Sequence, residues 1–312
     1  MYYPYLRGRQ FELITIRDLA LENALEKVTP VIEPVKENFN SLSLANNIFL
    51  ESGFKPFLIV NPSVGEVVGD KEHFLQYISK LESSMYKPAF HYSDNAEYIL
   101  ECIHKYNLED TMIIGLDDFT KEDSLIELCS NNSISHIMLL EPHRYRSLDR
   151  KIKDLNKIYI RLDDLFERQQ KNADYLEIPA HKFSEEHLYY KDDRYQGFSD
   201  FTVLSKEYLE GGSVPRAVVI NLTYINEEMN DQIWIRHFTS DTNDSISNVQ
   251  GKFAEATKKA IKFCEELPLE NSGTDELKKY YEELKYPGLG TVKKITIKNH
   301  LLVVKKYLDK IS

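Results

Sequence analysis

Along the first half of the chain, apolar runs stop at a polar side chain, and these run-ending residues are the ones with chemistry to offer. Glu33 stands near the end of residues 30–35 (PVIEPV), Asn61 near the end of 57–62 (FLIVNP) and His91 near the end of 88–92 (PAFHY). Asp117 closes 111–118 (TMIIGLDD), Glu141 closes 136–143 (HIMLLEPH), and Arg161 and Asp163 lie in 157–164 (KIYIRLDD). Carboxylates gathered in one opening can bind a divalent cation, or divide into a protonated general acid and an ionised partner. Arg161 would grip a phosphate or carboxylate through a bidentate contact. Two later runs add Asp200 and His237. Glu33, Asp117, Glu141, Arg161 and His237 form the candidate catalytic set; Asn61, His91, Asp163 and Asp200 are candidate ligand contacts. The competing structural account is that a charged residue just past a strand caps a helix or sits in a solvated loop, and that His91 and His237 are satisfied within strands.

These residues need elements to position them. Unbroken apolar runs without polar alternation are expected of parallel strands buried on both faces. The first polar residues at the run ends, Glu33, Asn61, His91, Asp117, Glu141 and Arg161, are separated by 28, 30, 26, 24 and 20 residues, room for a helix and two short loops each time. Helical stripes fill the gaps: Phe74, Leu75, Ile78 and Leu81 in one, Ile99, Leu100 and Ile103 in the next, and Gly53 is a left-handed C-cap candidate. Residues 165–196 lose the rhythm, as an insertion would. Runs at 197–204, 216–225 and 232–238 follow, the last two separated by a short polar turn that also suits an antiparallel hairpin. The fold expected is a (β/α)8 TIM-barrel-like α/β domain, its last two strands departing from the regular pattern. No linker composition divides the chain, so residues 1–312 are expected to be one domain, with the barrel over 1–267 and a C-terminal helical extension over 268–312. The rival, a doubly wound open sheet, lacks a GxGxxG or GxxxxGK[ST] motif in the required context.

Composition narrows the function classes. A net charge of −11 argues against nonspecific nucleic-acid binding. The exception is residues 291–312, with six lysines against Asp309 alone; nucleic acid is expected only there, against the plainer reading of a solvated helix face. The segment MYYPYLRGRQ has no apolar core of a signal peptide and no run reaches 18 apolar residues, so a cytoplasmic protein without a membrane partner is expected. Cys102, Cys129 and Cys264 suit reduced thiols. HExxH, CxxC and GxSxG are absent, and no lysine lies inside a core strand, which leaves acid/base or metal-assisted chemistry on a polar ligand.

The segments RGRQFEL, VTPVIEPV, EHLYYKD, GFSDF, AVVINLTY, IWIRHFTSD and PGLGTVKK, in that order, resemble the beta-protein family named from a T-even phage protein. They most resemble its uncharacterised bacterial sister family. The resemblance implies a TIM-barrel-like fold, no established chemistry, and genes near mobile elements or phage-defence loci beside a small nuclease-like partner. It draws Arg7, Gln10 and Glu12 of its first motif into the candidate site. Two functions are therefore expected to compete. One is a noncatalytic component of a phage-defence or mobile-element system that binds a ligand or partner protein. The other is a metal- or acid/base-dependent hydrolase acting on a phosphate-bearing small molecule or nucleotide at the barrel's C-terminal mouth.

Overall fold

The apolar runs become strands, and they line up side by side. In a computed structural model that describes residues 1–70, 72–118, 120–211 and 216–311, a parallel sheet begins with β1 (Tyr5–Leu6), β2 (Val31–Ile32), β3 (Phe57–Ile59) and β4 (Lys87–His91). It continues through β5 (Thr111–Gly115), β6 (Ile134–Leu140) and β7 (Ile158–Asp163). The chain then leaves to form β8 (Ala180–Ser184) elsewhere and returns as β9 (Gly197–Asp200), which pairs parallel with β7. Closure comes from the N-terminus: Tyr2 bridges Phe198 in parallel, with Tyr3 N–H donating to Phe198 O at 2.9 Å. The result is the (β/α)8 TIM-barrel-like fold that the repeating figure predicts.

Helices α1 (Gln10–Leu21), α2 (Asn40–Ser52), α3 (His73–Lys80), α4 (Ala96–Tyr106), α5 (Glu122–Cys129) and α6 (Arg146–Lys153) alternate with the first seven strands. Each buries an apolar stripe, such as Phe74, Leu75, Tyr77 and Ile78 on α3, and α2 ends at Gly53 with φ +66° as expected. On α1 the buried stripe is Leu13, Ile16 and Leu19, while Leu21 is exposed. Asp94 has φ +58° and turns its carboxylate to the Thr120 and Lys121 N–H groups, tying two successive loops together. Cys102, Cys129 and Cys264 are free thiols.

The chain divides into two compact units. The first is the barrel, residues 1–13, 17–164 and 189–201; the second is residues 14–16, 165–188 and 202–312. All barrel strands therefore precede residue 201, and the stretch up to 267, expected within the barrel, supplies different architecture. There β10 (Val219–Asn226) and β11 (Gln232–Thr239) form an antiparallel hairpin, and β8 adds on the far side of β11. This sheet packs Ile220, Leu222 and Phe238 against Phe253, Ala256 and Ala260, which lie three and four residues apart on α8 (Val249–Glu266), following the helical period. A short helix, α7 (Glu186–Tyr189), precedes β9, and α9 (Ser272–Glu282) and α10 (Leu289–Lys310) complete the second unit.

The basic C-terminal segment is this last helix, and it is mostly core. Ile295, Ile297, Leu301 and Val304 are buried, Lys298 is buried with them, and Lys294 pairs with Glu276 at 2.8 Å. Lys305 pairs with Asp309 at 2.5 Å. Three of the six lysines, Lys294, Lys298 and Lys305, are thus buried or paired with an acid. Among the described residues, no helix is long and apolar enough to cross a membrane.

Candidate functional site

Successive side chains on a strand point to opposite faces, so the phase of each strand decides which polar ends enter the barrel. The interior is lined by Tyr3, Tyr5, Val31, Phe57, Ile59, Ala89, Met112, Ile114, Met138, Leu140, Ile160, Leu162 and Phe201. Two residues beyond Tyr5, Val31, Ile59 and Ala89 come Arg7, Glu33, Asn61 and His91, in phase with the interior at the C-terminal ends of β1 to β4. That end is where TIM-barrel sites are built.

Glu33 is the hub of this group. It is fully buried, and both carboxylate oxygens are occupied. Oε2 accepts from Tyr5 Oη at 2.6 Å and from Arg7 Nη1; Oε1 accepts from Ser63 N at 2.7 Å and Ser63 Oγ at 2.8 Å. Burial alone would push its pKa up, but the neighbouring positive charge and these donors outweigh it and hold the carboxyl below its ordinary value. The Arg7 guanidinium also lies 5.2 Å above the Tyr5 ring and 5.7 Å from the Phe201 ring.

His91 is also buried, and burial followed by the nearby Arg7 charge keeps it neutral, its pKa below the ordinary 6.5 despite the pull of Glu33. Its tautomer follows from counting protons. Tyr5 has one hydroxyl proton and gives it to Glu33, so the 2.9 Å contact between Tyr5 Oη and His91 Nε2 requires an Nε2–H that donates to the phenol oxygen. Nδ1 is then a bare lone pair. It is buried, lies 3.7 Å from Glu33 Oε1, and has no hydrogen-bond partner.

Backbone details hold these side chains in place. The Asn61 amide accepts from His91 N–H at 2.8 Å and donates to His91 O at 2.9 Å, extending the β3–β4 pairing by one side chain. Its role is to position His91. Ser63 reaches Glu33 because the loop after β3 crosses the chain after β2 at Gly65, where φ is +96° and a Cβ would meet Val35 Cα and O at 2.6 Å. Glu12, fully buried in the first turn of α1, accepts from Arg7 N–H at 2.5 Å, while Gln10 begins the helix exposed.

The remaining candidates do not join this group. Arg161 and Asp163 are out of phase with Ile160 and Leu162, so they face away from the interior. They pair with each other in bidentate fashion, at 2.7 and 3.2 Å. Burial raises the Asp163 pKa even against Arg161. Asp200 is in register with Asp163, also faces outward, and accepts from Tyr2 Oη at 2.6 Å. Asp117 is exposed one residue past inward-packed Leu116, though its charge still reaches Tyr5 and His91. Glu141 adopts φ +45° ahead of a short 3-10 turn and pairs with Arg144 at 3.3 Å.

His237 is not at the mouth: it lies on β11 in the second unit. One ring nitrogen is 2.8 Å from Asn221 Oδ1 and the other 3.1 Å from His181 Nε2, and burial pushes its pKa down to about 3. Among the described residues, no three His, Cys, Asp or Glu side chains are arranged to hold a metal ion. The expected crowding of carboxylates therefore reduces to one ionised glutamate already neutralised by arginine. Tyr5 and Ser63 are the members that residue type at run ends does not reveal. Tyr5 lies on a two-residue strand, and Ser63 is in a loop.

Compared with protein-family models and with curated proteins, the chain matches none.

Proposed function

We propose that the C-terminal mouth of the barrel binds a small molecule that presents a hydroxyl or N–H donor to His91 Nδ1. The observation carrying this reading is that lone pair, buried and without a hydrogen-bond partner beside a Glu33 carboxylate whose two oxygens are both already occupied. An unmet buried acceptor costs about 1–3 kcal/mol, and a ligand donor would remove that cost. Glu33, Arg7, Tyr5 and Ser63 serve as a rigid floor that fixes the His91 ring. Paired with the motif resemblance to the beta-protein family, this supports a ligand-sensing component of a bacterial phage-defence or mobile-element system, alongside a small nuclease-like partner.

A second reading is favoured by one observation, the 3.7 Å approach of Glu33 to His91 Nδ1. If the donor's proton were transferred to Nδ1, the adjacent carboxylate would stabilise the imidazolium, as a general base requires. The mouth would then hydrolyse a phosphate-bearing small molecule or nucleotide.

The test is ring-nitrogen NMR of His91 in the full chain, titrated with glycerol, ethanolamine and ribose 5-phosphate, with acetate as a probe lacking a donor. Saturable shifts of His91 Nδ1 with donor-bearing probes are expected. Release of phosphate from ribose 5-phosphate would favour the second reading. No shift with any donor, or an equal response to acetate, would reject both.

A further inference from the structure

The second unit contains a cavity of about 320 Å³ whose lining includes Tyr175, Arg236, His237, Phe238, Lys259 and Phe263, with Lys262 at its rim, and the function proposed for the barrel mouth does not use it. Its cations differ in how they are held. Lys259 is engaged, donating to Thr239 O and Asp241 Oδ1 at 2.7 Å each, and Lys262 lies 3.7 Å from Glu266, an exposed i,i+4 pair in fast exchange with water. Arg236 is in a different situation. Its guanidinium sits 4.8 Å from the Phe263 ring and 5.8 Å from the Phe238 ring, and among the described residues it has no acidic partner.

An arginine stacked on an aromatic face is held flat, with its N–H edges directed sideways and little side-chain freedom left to lose. Those edges match two oxygens of a carboxylate or phosphate. Counting Arg236, Lys259 and Lys262 against Glu266 and Asp241 leaves one positive charge at this site, in a chain whose net charge is −11. The local sign thus opposes that of the whole, while Tyr175, Phe238 and Phe263 supply apolar wall on the same cavity. A volume near the lower end of small-molecule pockets suits a single ring with one charged group.

We propose that this cavity is a second ligand site, specific for a small aromatic anion, with its carboxylate or phosphate oxygens on the Arg236 edge and its ring against the aromatic wall. Lys262 adds long-range attraction and Lys259 shapes the floor.

Calorimetric titration of the full chain tests this, with phenyl phosphate and benzoate as probes of the two anion types and benzyl alcohol and inorganic phosphate as controls. At least one aromatic anion is expected to bind saturably, and both controls more weakly. Arg236→Gln is expected to weaken that binding by about tenfold to hundredfold, the loss of a two-pronged charged contact. Lys262→Gln, an exposed change on α8, is expected to weaken it less and to lower its salt dependence. His91→Phe is expected to leave it unchanged, which separates this site from the barrel mouth. The absence of saturable binding of either aromatic anion up to about 10 mM would overturn the proposal. So would binding that survives both Arg236→Gln and Lys262→Gln.

Discussion

The strands of one barrel end in two different ways. On β1, β2 and β4 the last inward position is charged or ionisable: Arg7, Glu33 and His91. On β6, β7 and β9 the corresponding positions are apolar, Leu140, Leu162 and Phe201, and the charges Arg161, Asp163 and Asp200 face outward. The two halves look alike in residue type and differ in phase by one residue. A single step along a strand reverses the side a residue faces, so the same apolar-run-plus-carboxylate figure makes an inward hydrogen-bonded cluster on one side of the barrel and, on the other, outward pairs such as Arg161–Asp163 and Tyr2–Asp200.

The sharpest way to break this comparison is to remove one carboxylate from each half. Glu33→Ala leaves Arg7 buried and uncompensated and is expected to cost about 3–5 kcal/mol, read from urea unfolding. Asp163→Ala is expected to cost about 1–3 kcal/mol, because the partly exposed Arg161 can turn toward water. Equal losses would mean that phase does not separate the two sites. Next in size come the supports on the polar side. Asn61→Ala leaves both His91 backbone groups without their side-chain partner, and Gly65→Ala forces a Cβ onto Val35. Each is expected to cost about 1–3 kcal/mol and to weaken ligand binding at His91.

Acid titration sharpens the contrast because the two carboxyls are shifted in opposite directions. The Glu33 pKa lies below its ordinary 4.5, so its contribution to stability is fully present above that pH and is lost as pH falls through the folded value. His91 and His237 are likewise depressed from 6.5, so their contributions fade from pH 6.5 downward, that of His237 to about pH 3. Asp163 is raised above 3.8: its contribution is greatest below that pH and is lost as pH rises through the folded value. Unfolding measured from pH 7 to 3 is therefore expected to show a shallower acid loss in Glu33→Gln and His91→Gln, and a steeper one in Asp163→Asn. The smallest effect is expected for Glu141→Gln, which removes a half-exposed pair with Arg144 and should change stability by about 0–1 kcal/mol.

Much of the barrel is legible in the sequence because fully buried parallel strands leave runs such as FLIV and HIMLL that no other element explains as well. The first strand is not, since Tyr5–Leu6 offers two residues and no period. The second sheet is only half legible: the β10–β11 hairpin shows in its turn, but β8 is a partly exposed stretch (AHKFS) whose partner lies about fifty residues later. In the site, residue type at the run ends nominates Glu33, Asn61 and His91, which do lie together, and adds Arg161, Asp163 and Asp200 by ignoring phase; Arg7 enters only through the motif resemblance. The spacing from Val31 to Glu33 and from Leu162 to Asp163 already contains the distinction. His237 follows from a different cause, since nothing local reveals that its strand belongs to another sheet.

The central claim concerns the inward cluster, and the protonation state of one ring tests it most directly. Long-range nitrogen–proton correlation of His91 at pH 7 is expected to show a neutral imidazole protonated on Nε2 with a bare Nδ1, converting to Nε2–H with a hydrogen-bonded Nδ1 when a donor-bearing ligand is added. An imidazolium at that pH, or a proton on Nδ1 in the free protein, would contradict the account.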